Sequence, residues 1–258
     1  MYSPLIKDDN GIWRMDYEDM DRKLKENHIH LAIFCSPHNP SGRMWERWEL
    51  EKAMQVYEAN ACYVISDEIW ADLTFSGHHH IPTQMVNDWA KEHVVAAYAP
   101  SKTFNLAGLI GSFHIIYSRY LRDRICSHAN ATHYNEMNVL SMHALIGAYQ
   151  SQGAEWLEEL RTVLEENARY AVDFIRNNFS GVEAASPQGT YMIFLDCTEY
   201  CAKTGRTIDE VLKAGWKKGV GWQDGRAFGG SCHIRMNLAL PLSRIEDAFG
   251  RLKRYVFL

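Results

Sequence analysis

Four short runs hold the residues able to do chemistry, and each lies in or directly after an apolar stretch. In the first, Cys35-Ser36-Pro37-His38-Asn39-Pro40-Ser41-Gly42-Arg43, an asparagine sits between two prolines. Such a run suits a rigid turn leading into a helix; alternatively, the prolines hold the Asn39 amide still as a donor toward a bound ligand. In the second, Asp67-Glu68-Ile69-Trp70, two carboxylates follow the run CYVIS. Asp67 could cap a helix, or it could stand in a partly dry cleft as the partner of a cationic ring nitrogen. The third, from Tyr98 to Gly108, is a loop of small residues with Lys102 between Ser101 and Thr103. A loop lysine is ordinarily solvated, but at the end of an apolar strand desolvation lowers the amine's proton affinity and makes it a nucleophile. In the fourth, residues 233–238 (HIRMNL), Arg235 lies inside a strand, where it either faces solvent or offers a planar guanidinium to a carboxylate.

These runs need a scaffold that brings strand ends together, and the apolar pattern supplies one. Residues 16–26 are polar with helical spacing, 30–35 (HLAIFC) form an apolar run ending at Pro37, 46–59 have helical periodicity with Glu/Lys pairs, and 62–66 (CYVIS) form a second strand. Two more strands are expected at 94–99 (VVAAYA) and 111–117 (GSFHIIY). The loop between them is too short for a crossover helix, so if they pair they run antiparallel. The first half therefore reads as α/β, a mostly parallel sheet flanked by helices. Open sheets of this kind gather ligands at the carboxyl ends of their strands, where the first three runs stand.

After Ser118 about sixty residues carry no strand signal. Helices are expected over 119–126, 135–152 and 155–178, the last long enough to join two lobes. From Gly181 the pattern becomes strand (190–195), helix, strand (233–238), helix, with capping boxes at Thr207/Glu210 and Ser243/Glu246. This predicts a large domain over 1–160 and, over 161–258, a joining helix with a small C-terminal α+β domain.

With 258 residues, 47% hydrophobic, 17 Gly, 7 Pro and a net charge of −5, the chain has a globular composition with no basic face for nucleic acid. No stretch approaches the apolar length of a membrane span, and the opening MYSPLIKDDNG is too polar for the apolar part of a signal peptide, so a cytoplasmic protein with no membrane partner is expected. The six cysteines sit mostly in apolar runs and read as reduced thiols. His78-His79-His80 could suggest a metal, but adjacent residues point apart and no further ligand is suitably spaced, so no metal is expected. Cys197 and Cys201 read as a strand end rather than a zinc or redox pair, and Trp13, Trp45, Trp48 and Trp70 as core or interface anchors.

Taken together and in order, MDYE, CSPHNPSGRMW, SDEIWADL, APSKTFNLAGL, GTYMIFLDC and HIRMNLALP resemble the pyridoxal-phosphate enzymes of fold type I. Within the class I/II aminotransferase group they look most like the MalY/PatB-type carbon–sulfur lyases, the cystathionine β-lyases. His38, where general aminotransferases tend to have a second Asn, leans toward the lyase branch. The resemblance implies pyridoxal 5'-phosphate as cofactor, a small amino-acid substrate and a homodimer. It makes Lys102 the lysine linked to the cofactor and Asp67 the carboxylate under its ring nitrogen. Asn39 would bond the phenolic oxygen and help bind substrate, Ser101 would contact the phosphate, Ile69 would pack behind the ring, and Arg235 would hold the substrate's α-carboxylate.

The implied reaction is β-elimination from an L-cysteine S-conjugate such as cystathionine, giving thiol, pyruvate and ammonia. Transamination by the same residues is the alternative. Three positions depart from the pattern: Trp70 stands where many aminotransferases have a Tyr, and Ala99 and Ile110 where they often have a Ser and an Arg on the phosphate. The family's opening strands, its phosphate cup and a ring-stacking aromatic have no counterpart in these residues. The sequence is therefore expected to be the latter part of a larger enzyme, or else a non-catalytic relative acting as a binding or regulatory module.

Overall fold

A computed structural model describes all 258 residues. The chain opens on a hairpin, β1 (Leu5–Lys7) and β2 (Trp13–Met15), which the residue pattern does not announce because each strand is only three residues long. There follow α1 (Tyr17–Glu26), β3 (Leu31–Cys35), α2 (Arg47–Ala59), β4 (Tyr63–Asp67), α3 (Asp88–His93), β5 (Val94–Tyr98), the single turn α4 (Pro100–Thr103) and β6 (Phe113–Ile115). Three helices come next, α5 (Arg119–Thr132), α6 (Val139–Ala148) and α7 (Ser151–Asn178). The last part is β7 (Glu183–Ala184), β8 (Met192–Asp196), α8 (Thr198–Thr204), α9 (Ile208–Lys217), β9 (Gln223–Asp224), β10 (His233–Asn237) and α10 (Leu242–Tyr255).

Two compact units result: Met1–His38 with Met44–Glu159, and Asn39–Arg43 with Leu160–Leu258. In the first, a four-stranded sheet runs in the order β3-β4-β5-β6. The pairs β3–β4 and β4–β5 are parallel, and β5–β6 is antiparallel, as the short intervening loop requires. In this register Cys35 stands opposite Asp67 and Asp67 opposite Ala97, so three strands end level. The ladder continues one step beyond each end, with Ser36 N donating to Asp67 O at 3.0 Å and Glu68 N to Ala97 O at 2.9 Å. Packing fixes this register. Phe34 and Val64 point into a core completed by Met20 and Leu24 of α1, Leu50, Ala53, Met54 and Tyr57 of α2, and Ala90. Each of the Phe, Val, Met and Leu side chains among them contributes roughly 1.5–3 kcal/mol on burial.

Helix starts follow local chemistry. Asp16 caps α1 by accepting from Asp19 N at 3.0 Å. Glu46 and Glu49 form a capping box on α2, one the S/T-x-x-E pattern does not reveal because its first member is glutamate. The expected box at Thr207/Glu210 is present on α9. The one expected at Ser243/Glu246 is not: α10 begins a residue earlier, with Pro241 at the cap position and Ser243 already inside the first turn. No helix is long and apolar enough to cross a membrane.

The second unit is built on a sheet in the order β7-β8-β10-β9, antiparallel throughout. Its core gathers Ala168, Ala171, Val172 and Ile175 of α7 with Ile245, Phe249 and Leu252 of α10. Phe249 stacks on Phe179 (6.0 Å) and meets Phe174 edge-on (5.5 Å). The loop after β10 is tied down by Asn167, whose buried amide donates to both Leu238 O and Leu240 O at 2.9 Å. Asn167→Ala would leave two carbonyls without these donors, so it is expected to lose about 2 kcal/mol of unfolding free energy, read by urea denaturation.

Candidate active site

In the first unit, the level strand ends set Asp67 at the end of β4 and Lys102 in the turn that follows the neighbouring β5. Asp67 is the last residue of β4, and its Oδ1 accepts from Ile69 N at 3.2 Å in an Asx turn rather than a helix cap. Its Oδ2 accepts no hydrogen bond from the chain. Burial raises the Asp67 pKa above the ordinary carboxylate value; the Ile69 N–H and the positive charge of Lys102 oppose that rise, and the charge of Glu68 adds to it. Lys102 lies in α4, four residues past β5, half-buried, with its ammonium 5.8 Å from the centroid of the Trp70 ring and no carboxylate within ion-pair distance. Ser101 beside it is half-buried and its hydroxyl has no partner in the chain, and Ile69 is half-buried just beyond Asp67.

Trp70 is 2% exposed, so its indole is a buried floor beneath the amine. The segment bearing Lys102 is anchored from the other side by Asp72, whose Oδ2 accepts from Thr103 Oγ1 at 2.8 Å and from the Tyr149 hydroxyl at 3.2 Å. Ile110 is 85% exposed and holds φ +53°, ψ +61°, a strained conformation for a β-branched residue. Neither Ala99 nor Ile110 offers a group that could bind phosphate.

The second unit holds Asn39 and Arg235. Residues Asn39–Arg43 pack on residues 187–189: Gln188 N donates to Gly42 O at 2.8 Å, and Arg43 Nη1 donates to Gln188 Oε1 at 2.5 Å. Gly42 is required here. It has φ +69°, and a Cβ would stand 2.5 Å from Pro187 Cβ. Arg235, in the middle of β10, donates through Nη1 to Asn39 Oδ1 at 3.0 Å and through Nε to Gln223 Oε1 at 2.8 Å; its Nη2 also reaches Gln223. Phe228 lies 4.1 Å beneath the guanidinium. With its carbonyl engaged, Asn39 has its amide N–H group left to donate. Residue order did not single out Gln223 or Phe228; their only signal is proximity to Arg235 across a two-residue strand pairing.

Of the histidine triplet, His80 is engaged by a buried carboxylate. His80 Nε2 sits 2.6 Å from Glu68 Oε2, and no group of three or more His, Cys, Asp or Glu residues could hold a metal. The six cysteines form no disulfide. Trp45 is buried and donates to Cys35 O at 2.9 Å, whereas Trp48 stands 47% exposed. The donor set suits an aromatic aldehyde with a basic ring nitrogen: an amine without an ion partner, and a part-buried carboxylate with one open oxygen.

Comparison with known proteins follows the same line. The family profile described as Aminotransferase class I and II matches residues 5–252. The chain is 34% identical over 255 residues to the cystathionine beta-lyase PatB of Bacillus subtilis, covering 98% of this chain and 65% of that one. It is 31% identical over 247 residues to Protein MalY of Escherichia coli, covering 93% and 60%. The crystal structure of the PLP-bound C-S lyase from Staphylococcus hominis superposes with a TM-score of 0.88 at 31% identity, covering 98% of this chain and 65% of that one. The chain thus spans less than two thirds of the length of these relatives.

The His38 side chain packs against Trp45, ring centroids 5.7 Å apart, and burial lowers its pKa from 6.5 to about 4. Between these values the unfolded chain holds a proton that the folded chain does not, so stability falls as pH drops from 6.5 toward 4. The expected loss is about 2 kcal/mol, allowing for the solvent that reaches part of the ring. Denaturant unfolding at a series of pH values should show this slope in the wild type and a flatter one in His38→Asn.

Proposed function

This chain belongs to the aminotransferase class I and II family, and on that premise we propose that it is a pyridoxal-5'-phosphate-dependent carbon–sulfur lyase. It would cleave L-cysteine S-conjugates such as cystathionine by β-elimination to a thiol, pyruvate and ammonia. The observation that carries the reading is the pair at the ends of β4 and β5: Asp67 with an open carboxylate oxygen, and Lys102 with an unpaired amine over Trp70. Bound pyridoxal phosphate supplies an aldehyde for amine exchange and a ring that takes up the electrons left when a proton leaves Cα.

The roles assigned to the chain's own groups are those the family resemblance implies, and their surroundings support them. Lys102 Nζ would hold the cofactor through its aldehyde, and its free amine would be the base for the substrate's Cα proton. No carboxylate competes for it within ion-pair distance. Asp67 Oδ2 would accept the proton of the cofactor's ring nitrogen and so keep the ring electron-poor. Ile69 would pack beside the ring, and the Ser101 hydroxyl would donate to the phosphate. In the second unit, Asn39 has an amide N–H group left to donate to a ligand. Arg235 presents a guanidinium braced by Gln223, Asn39 and Phe228 to the α-carboxylate. These groups serve elimination and transamination alike; the likeness to a cystathionine beta-lyase and a C-S lyase supports elimination.

We also propose a cytoplasmic homodimer. The exposed apolar side chains Tyr134, Val139 and Leu140, between 65% and 92% exposed, support an interface on the α5–α6 segment.

With pyridoxal phosphate added, the purified protein is expected to show a visible absorbance band that borohydride abolishes and that Lys102→Ala lacks. It should release pyruvate and thiol from cystathionine without any keto acid. Arg235→Ala should raise KM about 10- to 100-fold, the loss of a charge-assisted bidentate contact. Turnover that strictly requires a keto acid would reassign the protein to transamination. No band in the wild type would leave a non-catalytic relative.

A further inference from the structure

Between Asp67 and Trp70 lies a charged residue to which the proposed chemistry gives no role. Glu68 is 0% exposed, and both of its carboxylate oxygens are saturated. Oε1 accepts from Ser66 Oγ at 2.8 Å and from Thr83 N at 2.9 Å. Oε2 accepts from the Tyr98 hydroxyl at 2.5 Å and lies 2.6 Å from His80 Nε2. The Ser66 and Thr83 hydroxyls are themselves 2.9 Å apart. Burial raises the Glu68 pKa, but the bonds from His80, Tyr98 and Thr83 outweigh it and hold the carboxyl below its ordinary value. The Tyr98 phenol is pushed well above its ordinary value by burial and by the charge of Glu68, so it stays a donor.

A buried charge with four partners is a poor device for stability, because desolvation cancels much of what the contacts contribute. What it does supply is geometry. The four partners come from three segments: the end of β4 (Ser66), the end of β5 (Tyr98) and the stretch 80–83 before α3. Along a strand, successive side chains point to opposite faces, so Glu68 is gripped from one side of the chain while Asp67 is presented on the other. Tyr98 is in turn the last residue of β5, four positions before Lys102. One carboxylate therefore ties the backbone that carries Asp67 to the backbone that carries Lys102.

We propose that the Glu68–His80–Tyr98 cluster is a positioning device that holds the Asp67 carboxylate and the Lys102 amine at the separation cofactor binding requires. The inference rests on the functional reading above. It also makes the cluster's charge part of Asp67's surroundings. The titratable groups around Glu68 are His80 and Tyr98, with Tyr117 and Asp72 facing Tyr98 in turn; those around Asp67 are Lys102 and Glu68. Neutralising Glu68 removes a negative neighbour of Asp67 and so lowers the proton affinity of Asp67. Cofactor affinity lost on acidification, as Asp67 protonates, should then be lost at a lower pH.

The test uses two near-isosteric variants, Glu68→Gln and Tyr98→Phe, and titrates the cofactor-free protein with pyridoxal 5'-phosphate, following the quenching of tryptophan fluorescence. Glu68→Gln is expected to weaken binding about tenfold, the scale seen when the partner orienting a ligating group is removed. It should move the acid limb of the binding curve to lower pH, and lower kcat for cystathionine about tenfold with KM within about twofold. Tyr98→Phe, which removes one of the four partners, should weaken binding in the same direction by about threefold; should Glu68→Gln not fold, this variant alone decides. Variants that lose thermal stability yet bind with wild-type affinity and an unmoved acid limb would overturn the proposal and leave the cluster a purely structural contact. Wild-type protein that takes up no cofactor would overturn the functional reading and this inference with it, whereas wild-type binding with unaffected variants overturns this inference alone.

Discussion

The parallel register of β3, β4 and β5 is the constraint from which the rest of the first unit follows. Because Cys35, Asp67 and Ala97 stand level, the three segments that leave the strands start from one edge of the sheet. A shift of one residue in β4 would turn Asp67 to the opposite face and force Val64 out of the core. Register and chemistry are thus specified by the same apolar side chains. Phe34 and Val64 cannot be buried against α1 and α2 without Asp67 being delivered to the edge. Once there, Glu68 fastens β4 to β5 across that edge, and Asp72 fastens the Lys102 segment through Thr103 and Tyr149.

Which cations are available for chemistry is decided by what surrounds them. Arg14 is surrounded by Asp8, Glu46 and Glu49 at 2.9–3.1 Å, so its charge is spent within the fold. Arg226 is likewise held by Asp209 and Asp224. Arg235 differs: Gln223 and Asn39 orient its guanidinium through neutral oxygens, and Phe228 supports its face, so the full positive charge remains for an incoming anion. The same contrast separates Lys102 from Lys23, Lys25 and Lys203, each of which has a carboxylate within 2.6 Å.

Much of this arrangement is legible in residue order. HLAIFC, CYVIS and VVAAYA mark the strands as continuous apolar runs, although Leu31 and Ile33 of the edge strand β3 stay exposed, and the residues following them are where Asp67 and Lys102 stand. The antiparallel turn into β6 follows from loop length alone. Other features depend on contacts that no local pattern encodes. The β1–β2 hairpin is too short to show alternation, and Ser243 satisfies a capping pattern that Pro241 pre-empts by starting α10 earlier. The triplet His78–His80 illustrates the limit most clearly. The string gives no hint of a partner, yet His80 is engaged by Glu68, twelve residues earlier in the chain, and the pairing exists only because the stretch 80–83 folds back over the end of β4.

Gln223 and Phe228 were missed for a related reason. Each belongs to a segment whose own sequence gives a two-residue strand and a short turn, WQDGRAF, with nothing to set it apart from an ordinary loop. Their importance comes from β10: Arg235 pairs with Gln223 in the β9–β10 register, which puts the amide oxygen on the guanidinium fork. A glutamate at the same position would satisfy the same geometry but cancel the charge, so the amide is the residue that orients the arginine without occupying it. Sequence patterns report which groups can react, whereas the choice between amide and carboxylate at a silent neighbouring position determines whether such a group stays available.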